Sequence, residues 1–163
     1  MLRRFKRDFD LTPGERGIAL AYLGIGVFGA ILAFTVVNQL GGGADVIRPM
    51  TAYDLWSICA GVIGALAGLY LGTRWLGQPG WQGWLRALIA VPVVSLFAAL
   101  IAGTLALPGH GTMFGPLGLV TTLIAYPTLA LLWLAMITAA HVSFVQWRKE
   151  RDTIFHVKDS EWA

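Results

Sequence analysis

Charged residues are scarce in this 163-residue chain, where Asp, Glu, Lys and Arg together make up 13% of the sequence. Soluble domains carry roughly 25%. Hydrophobic residues account for 56%, and the mean hydropathy is +0.67. No charge falls in the middle of a long apolar run. Ion-coupled carriers, proton pumps and voltage sensors generally need such a charge, so the sequence argues against all three classes. A pathway lined by backbone carbonyls would escape this test.

Residues for covalent or metal chemistry are also few. The single cysteine, Cys59, forms neither an intramolecular disulfide nor a cysteine-based metal cage. The three histidines, His110, His141 and His156, are predicted to lie at different depths, which disfavours haem ligation and a metal site. Ser57, Ser95 and Ser143 have no candidate base at matching depth, and no glycine-rich loop has phosphate-binding spacing. The sequence therefore predicts no enzyme, no cofactor and no metal.

The positive net charge does not indicate nucleic-acid binding. It is only +3, and the basic residues flank apolar runs instead of forming one face. Eleven of the twelve Lys and Arg residues fall on one side of the membrane if the N-terminus is cytoplasmic, and only Arg48 falls on the other. The positive-inside rule then predicts that both termini are cytoplasmic. The compact, Ala- and Gly-rich style favours a bacterial inner membrane.

Four apolar runs are long enough to cross a hydrocarbon core of about 30 Å. The sequence predicts an all-α membrane protein, a four-transmembrane-helix bundle forming one polytopic domain over residues 1–163, with short basic tails at 1–16 and 148–163. The fourth run exceeds one crossing, so Pro127 is expected to kink it and its last turns to protrude. The tail after it is expected to be ordered only in its first turn. The predicted spans are 17–40, 53–76, 85–107 and 115–147.

Two capping boxes open the first two predicted spans. Thr12 and Glu15 have the spacing of one box, and Thr51 and Asp54 that of the other. Asp54 is the acidic residue nearest the membrane. We interpret it as a helix cap in preference to a proton carrier.

Small residues gather on one face of the second and third spans, within an arc of roughly 140° on each helix. Such faces let helix backbones approach closely in lipid. We predict that the two spans pack through them, with Gly64 and Gly68 opposite Ala99 and Ala102, while Leu66 faces lipid. The small face of the second span consists of Ser57, Ala60, Gly61, Gly64, Ala65, Gly68 and Gly72, and that of the third of Ser95, Ala98, Ala99, Ala102, Gly103 and Ala106.

Two polar or aromatic features leave alternatives open. His141 is either a proton-sensitive or quinone-contacting residue, or a polar group near the headgroups bonded to backbone or water, and we favour the second. Trp81 and Trp84 either line a contact for a lipid or a partner, or anchor the chain at the interface. Interfacial anchoring is favoured, because tryptophan is common at every membrane surface.

These features predict a small multi-pass membrane protein that acts as a non-catalytic accessory, assembly or scaffold subunit of a membrane complex. Its expected partners are the lipid bilayer and other membrane subunits or further copies of the chain. The alternative is a small homo-oligomeric channel or transporter. A four-helix bundle by itself does not distinguish these functions.

Overall fold

A computed structural model of the chain describes residues 11–41 and 49–160, with side chains described as far as Thr153. The first ten residues of the predicted basic tail at 1–16, and Arg48, lie outside these residues. The described part is all-helical. Its five helices are α1 (Pro13–Leu40), α2 (Ala52–Gly72), α3 (Trp81–Ala106), α4 (Gly111–Ala125) and α5 (Pro127–Ser160).

Four of these helices are long and apolar enough to cross a membrane. They are α1, α2, α3 and α5, the last over its segment Pro127–Thr153. The first three lie within a few residues of the spans predicted from the sequence. The helix α4 is apolar but has only 15 residues. The chain therefore has the features of a multi-pass membrane protein.

The prediction of one kinked helix over 115–147 is wrong, because the chain breaks there into two helices. α4 ends at Ala125 and α5 begins at Pro127, with Tyr126 between them at φ −123° and ψ 84°. Pro127 has no N–H to donate to the carbonyl of Leu123, and its ring keeps the preceding residue out of the helical region. Proline is nevertheless favoured at the first position of a new helix, where α5 begins.

The C-terminal tail is also more regular than expected, since α5 continues to Ser160. One stabilising contact is visible in the described side chains. The guanidinium carbon of Arg151 lies 4.7 Å from the ring centroid of Trp147, one helical turn earlier. Such a cation–π pair on one helix face favours continued helix.

Both predicted capping boxes are confirmed. The backbone N–H of Thr12 donates to the Glu15 carboxylate at 2.9 Å, and the backbone N–H of Thr51 donates to the Asp54 carboxylate at 2.8 Å. In each box the threonine hydroxyl accepts the return bond. Asp54 thus acts as a cap, which satisfies N–H groups that have no partner within the helix.

The bundle has two ends, the loop end and the tail end. The loop end carries Leu40, Ala52 and Ala106, and the tail end carries Pro13 and Gly72. α2 lies between α1 and α3. α5 runs antiparallel to α1, since Gly17 faces Ser143 and Gly24 faces Met136.

The short helix α4 crosses from α3 to the loop end of α1. Gly115 lies against Ala99 of α3, whereas Gly118 faces Val36 of α1. The Thr122 hydroxyl donates to the side-chain oxygen of Gln39 at 2.7 Å. α4 therefore bridges two spanning helices at the loop end instead of extending α5.

Candidate functional site

The small face of α2 packs against two helices, α1 and α3, instead of against α3 alone. A Cβ added to Gly61 would lie 2.5 Å from the carbonyl oxygen of Gly29 in α1. A Cβ added to Gly64 would lie 2.5 Å from the carbonyl oxygen of Ala98 in α3. One at Gly68 would lie 2.6 Å from the Cβ of Ala98. Because real Cβ atoms do not approach this closely, only glycine permits both contacts.

The small face of α3 is divided in the same way. Ala98 and Ala102 lie against α2, but Ala99 and Gly103 lie against α4. A Cβ added to Gly111 would lie only 1.8 Å from the carbonyl oxygen of Gly103, so α3 and α4 make a very close backbone contact. α4 was not among the partners predicted for α3, although Gly111 and Gly115 have the four-residue spacing that lets helices approach.

Two other members of the predicted faces have defined neighbours, and a third is buried. Ala65 lies against Gly29, and Gly72 lies against Val94. Ala60 is 1% exposed. Ala65 and Gly72 thus contribute to the packing of α2 against α1 and α3 respectively.

An apolar cavity of about 350 Å³ lies between the helices and is partly open. All five helices contribute to its wall, which is almost entirely hydrocarbon. It reaches from Leu40 and Tyr53 at the loop end to Leu76 beyond the last turn of α2. Ala106, the last of the small residues on α3, also lines it. A cavity of this size falls within the range of small-molecule sites.

Two hydroxyl groups lie in the cavity wall, and they differ in their partners. The Ser95 hydroxyl donates to the carbonyl of Val91 at 2.8 Å and accepts from the Trp133 indole N–H at 3.1 Å. Ser57 is 2% exposed, yet its hydroxyl oxygen has no hydrogen-bond partner. Burying a hydroxyl without a partner costs about 1–3 kcal/mol.

The bond that Ser57 lacks is common elsewhere in these helices. Helical Ser and Thr side chains usually satisfy themselves by donating to the carbonyl four residues earlier. The residues that do so are Thr35, Ser95, Thr104, Thr121 and Ser143. The hydroxyl of Ser57 lacks this bond and is buried.

A second polar cluster closes the tail end. His141 is 1% exposed, and its Nδ1 accepts the backbone N–H of Gly77 at 3.1 Å. The Trp84 ring lies 4.6 Å from the imidazole. Arg148 donates to the carbonyls of Thr73 at 2.6 Å and Leu76 at 3.1 Å. These contacts join α5 to the segment that follows α2. The Arg148 cation binds carbonyl groups that have no partner within the helix, because they lie at or beyond its C-terminal end.

The hydrogen bond to Nδ1 determines the protonation state of His141. A nitrogen that accepts an N–H bond carries no proton, so the imidazole is neutral and its proton is on Nε2. Nε2 is buried without a partner. The ring is therefore bonded to backbone, as favoured from the sequence, and Trp84 packs on it while Trp81 stays 75% exposed.

The tail end also holds a carboxylate that was not predicted to have a structural role. Glu150 of α5 accepts from the backbone N–H of Gly14 at 2.9 Å and from the Thr12 hydroxyl at 3.2 Å. It thereby caps the first turn of α1 from another helix, where the helix dipole favours negative charge. No local sequence pattern could predict these bonds of Glu150, because its two partners are 136 and 138 residues away in sequence.

The remaining candidates for chemistry are dispersed. Cys59 is exposed on α2, and His110 precedes α4 without a side-chain capping bond. Within residues 11–41 and 49–153, no three His, Cys, Asp or Glu side chains come together as metal ligands. Comparison of the chain with protein-family models, curated proteins and solved structures found no match.

Proposed function

We propose that the protein is a non-catalytic accessory, assembly or scaffold subunit of a membrane complex. The observation that carries this proposal is the use made of its polar side chains. In the described part of the chain, Asp54, Glu150, Arg148 and His141 all bond to backbone groups at helix ends. Side chains engaged in this way fix helices in place, and they form no pair of acid and base or nucleophile and base.

The length of α5 supports a contact with another protein. Glu150 lies beside Gly14, the second residue of α1, so the helix from 151 to 160 extends past the start of α1. Ten residues of helix are roughly 15 Å long. A helical arm of this length at the tail end offers a surface for a partner subunit outside the membrane core.

The composition of the extracted particle tests this proposal. We expect the protein, extracted in mild detergent, to co-purify with other subunits at a fixed ratio, measured by native mass spectrometry. Truncation after Arg151 should reduce this association while leaving the thermal unfolding midpoint of the chain unchanged. A particle containing only copies of this chain would contradict the accessory role.

A homo-oligomeric channel or transporter is the second candidate. Two observations favour it: the cavity follows the bundle from Tyr53 to Leu76, and the chain breaks at Tyr126 within an apolar region. Interrupted helices often border the binding sites of transporters. A closed homo-oligomer that accelerates solute flux across liposomes would support this function over the first.

We further propose that both termini are cytoplasmic and that the protein resides in a bacterial inner membrane. The support is the eleven-to-one division of Lys and Arg in the sequence. The bilayer is then its general partner, and nucleic acid is not one.

Topology reporters give a direct test of this orientation. Fusions after Gly43 and after Gly109 are expected to read periplasmic, and a fusion after Gly80 cytoplasmic. Gly80 and Gly109 both lie between helices, at φ +83° and +87°, so fusions there interrupt no helix. The opposite result at any one site would overturn the proposed topology.

A further inference from the structure

We propose that the turn between α2 and α3, residues 73–80, binds the headgroup of an anionic phospholipid, whose phosphate contacts Arg74 and Arg86. The support comes from the lack of carboxylate partners for the two arginines, from the hydrogen bonds that connect them, and from the exposed apolar side chains beside them. The site is separate from the proposed subunit contact, which lies on the projecting helix of α5. It requires only that the long apolar helices span a membrane.

The two arginines have no carboxylate partner in the described part of the chain. The sequence contains no Asp or Glu from residue 55 to residue 149. Arg74 and Arg86 are both exposed, and among the described side chains neither forms an ion pair. The next carboxylate along the chain, that of Glu150, bonds to Thr12 and Gly14 at the start of α1. Both guanidinium groups can therefore bind an anion that comes from outside the chain.

Gln78 connects the two arginines. Its amide N–H donates to the backbone carbonyl of Arg74 at 3.3 Å, and its side-chain oxygen accepts from the guanidinium of Arg86. This bond uses one of the five N–H donors of the guanidinium, and the others suit the paired oxygens of a phosphate. Arg148 adds a third cation, since its guanidinium donates to two backbone carbonyls of the same turn. Because Arg86 is already held against the turn, it loses less conformational entropy on binding.

Tryptophan side chains place this turn at the level of the lipid headgroups. Trp75 and Trp81 are 48% and 75% exposed, and tryptophan is enriched where the hydrocarbon meets water. The spanning helix α2 ends at Gly72, and the spanning helix α3 begins at Trp81. The turn therefore lies where the chain leaves the hydrocarbon and enters it again, which is the depth of the lipid phosphates.

An apolar surface beside Arg86 favours a lipid over a free phosphate ion. Ile89 follows Arg86 by three residues, so it lies on the same face of α3, nearer the middle of the span, and it is 70% exposed. Leu85 and Leu88, which are 44% and 73% exposed, extend this surface. A lipid whose phosphate is bound by Arg86 can lay its acyl chains along these side chains, whereas a free phosphate ion gains nothing from them.

Lipid binding by the purified full-length chain tests this site. The two probes are phosphatidylglycerol and phosphatidylcholine with identical acyl chains, so they differ in the net charge of the headgroup. Each lipid is titrated into the delipidated protein in mild detergent, and the bound lipid is counted by native mass spectrometry. We expect phosphatidylglycerol to bind roughly 25-fold more tightly, because each arginine at the surface contributes a factor of about 5.

Single substitutions identify the residues that bind the headgroup. Arg74→Gln and Arg86→Gln should each weaken the binding of phosphatidylglycerol about 5-fold and leave that of phosphatidylcholine unchanged. Arg16→Gln is the matched control, because it removes an exposed charge at the same end of the bundle but from α1, which α2 separates from α3. It should change the binding of either lipid less than about 2-fold, since distant surface charges are screened.

Three results would overturn the proposal. The first is equal binding of the two lipids by the wild-type chain. The second is an equal loss of binding in Arg16→Gln and Arg86→Gln, which would indicate a general effect of surface charge. The third is displacement of phosphatidylglycerol by inorganic phosphate but not by chloride at the same ionic strength, which would indicate a site for a free anion. Because lipid binding is measured on the isolated chain, its failure would leave the co-purification test of the subunit function unaffected.

Discussion

Replacing Gly68 with leucine is expected to destabilise the protein by about 3 kcal/mol, at the upper end of the usual cost of overpacking. Even a bare Cβ at this position would lie 2.6 Å from the Cβ of Ala98 and 3.1 Å from the carbonyl oxygen of Val94. Both obstacles belong to the body of α3 and cannot rotate away. The helices must therefore separate, and they lose dispersion contacts along their length.

A graded series measures this effect. Gly68→Ala should fall between the wild type and Gly68→Leu in the free energy of unfolding, followed by intrinsic fluorescence during transfer from mild detergent to SDS. Ile63→Phe is the control on the same helix, because Ile63 is 47% exposed and extra bulk there meets lipid. It should change stability by less than about 0.5 kcal/mol. Equal stability of Gly68→Leu and Ile63→Phe would show that α2 and α3 do not pack closely at this point.

The helices themselves could be predicted from the sequence because the signals are local. Apolar length gives the spanning segments, and a capping box needs only Thr51 and Asp54 three residues apart. The break at Tyr126 is harder to predict. A proline can either kink a helix or start a new one, and Pro92 lies inside α3 whereas Pro127 begins α5. The choice depends on what packs around each proline, which the sequence does not state.

The partner of each small residue could not be predicted, because a face does not specify its neighbour. Adjacent residues of α3 illustrate this, since Ala98 contacts α2 while Ala99 contacts α4. Leu66 illustrates it on α2: it was predicted to face lipid, but its side chain lies against Gly26 of α1. α2 has neighbours on two sides, so its small and large residues are both used in packing.

The cavity and the cluster around His141 depend on tertiary placement alone. The Ser57 hydroxyl has no hydrogen-bond partner, whereas the Ser95 hydroxyl accepts from the indole N–H of Trp133. No pattern in the sequence predicts this difference. Likewise, nothing local joins His141 to Gly77, which is 64 residues away. What the sequence did favour was a His141 side chain bonded to backbone or water, and the structure shows its bond to the backbone N–H of Gly77.

His141→Ala is the second substitution for which we expect a large effect, a loss of about 3–5 kcal/mol of stability. The ring is 1% exposed and packs against Trp84, so its removal leaves a cavity, as truncation of other large buried side chains does. It also leaves the N–H of Gly77 without an acceptor, which costs a further part of this total. Gly77 cannot readjust freely, because it has φ +76° and lies against the backbone of Phe144.

The variant His141→Asn separates the two contributions, because its side-chain oxygen can occupy the place of Nδ1 and accept the N–H of Gly77. We expect it to recover about 1–3 kcal/mol relative to His141→Ala, measured by the same unfolding experiment.

Cys59→Ala and His110→Ala are the controls. Both residues are exposed and should change stability by no more than about 0.5 kcal/mol. All four variants should support complex assembly in proportion to the amount of folded protein. If His141→Ala folds as stably as the wild type and assembles normally, yet abolishes the activity of the complex, then His141 acts chemically and the non-catalytic function is wrong.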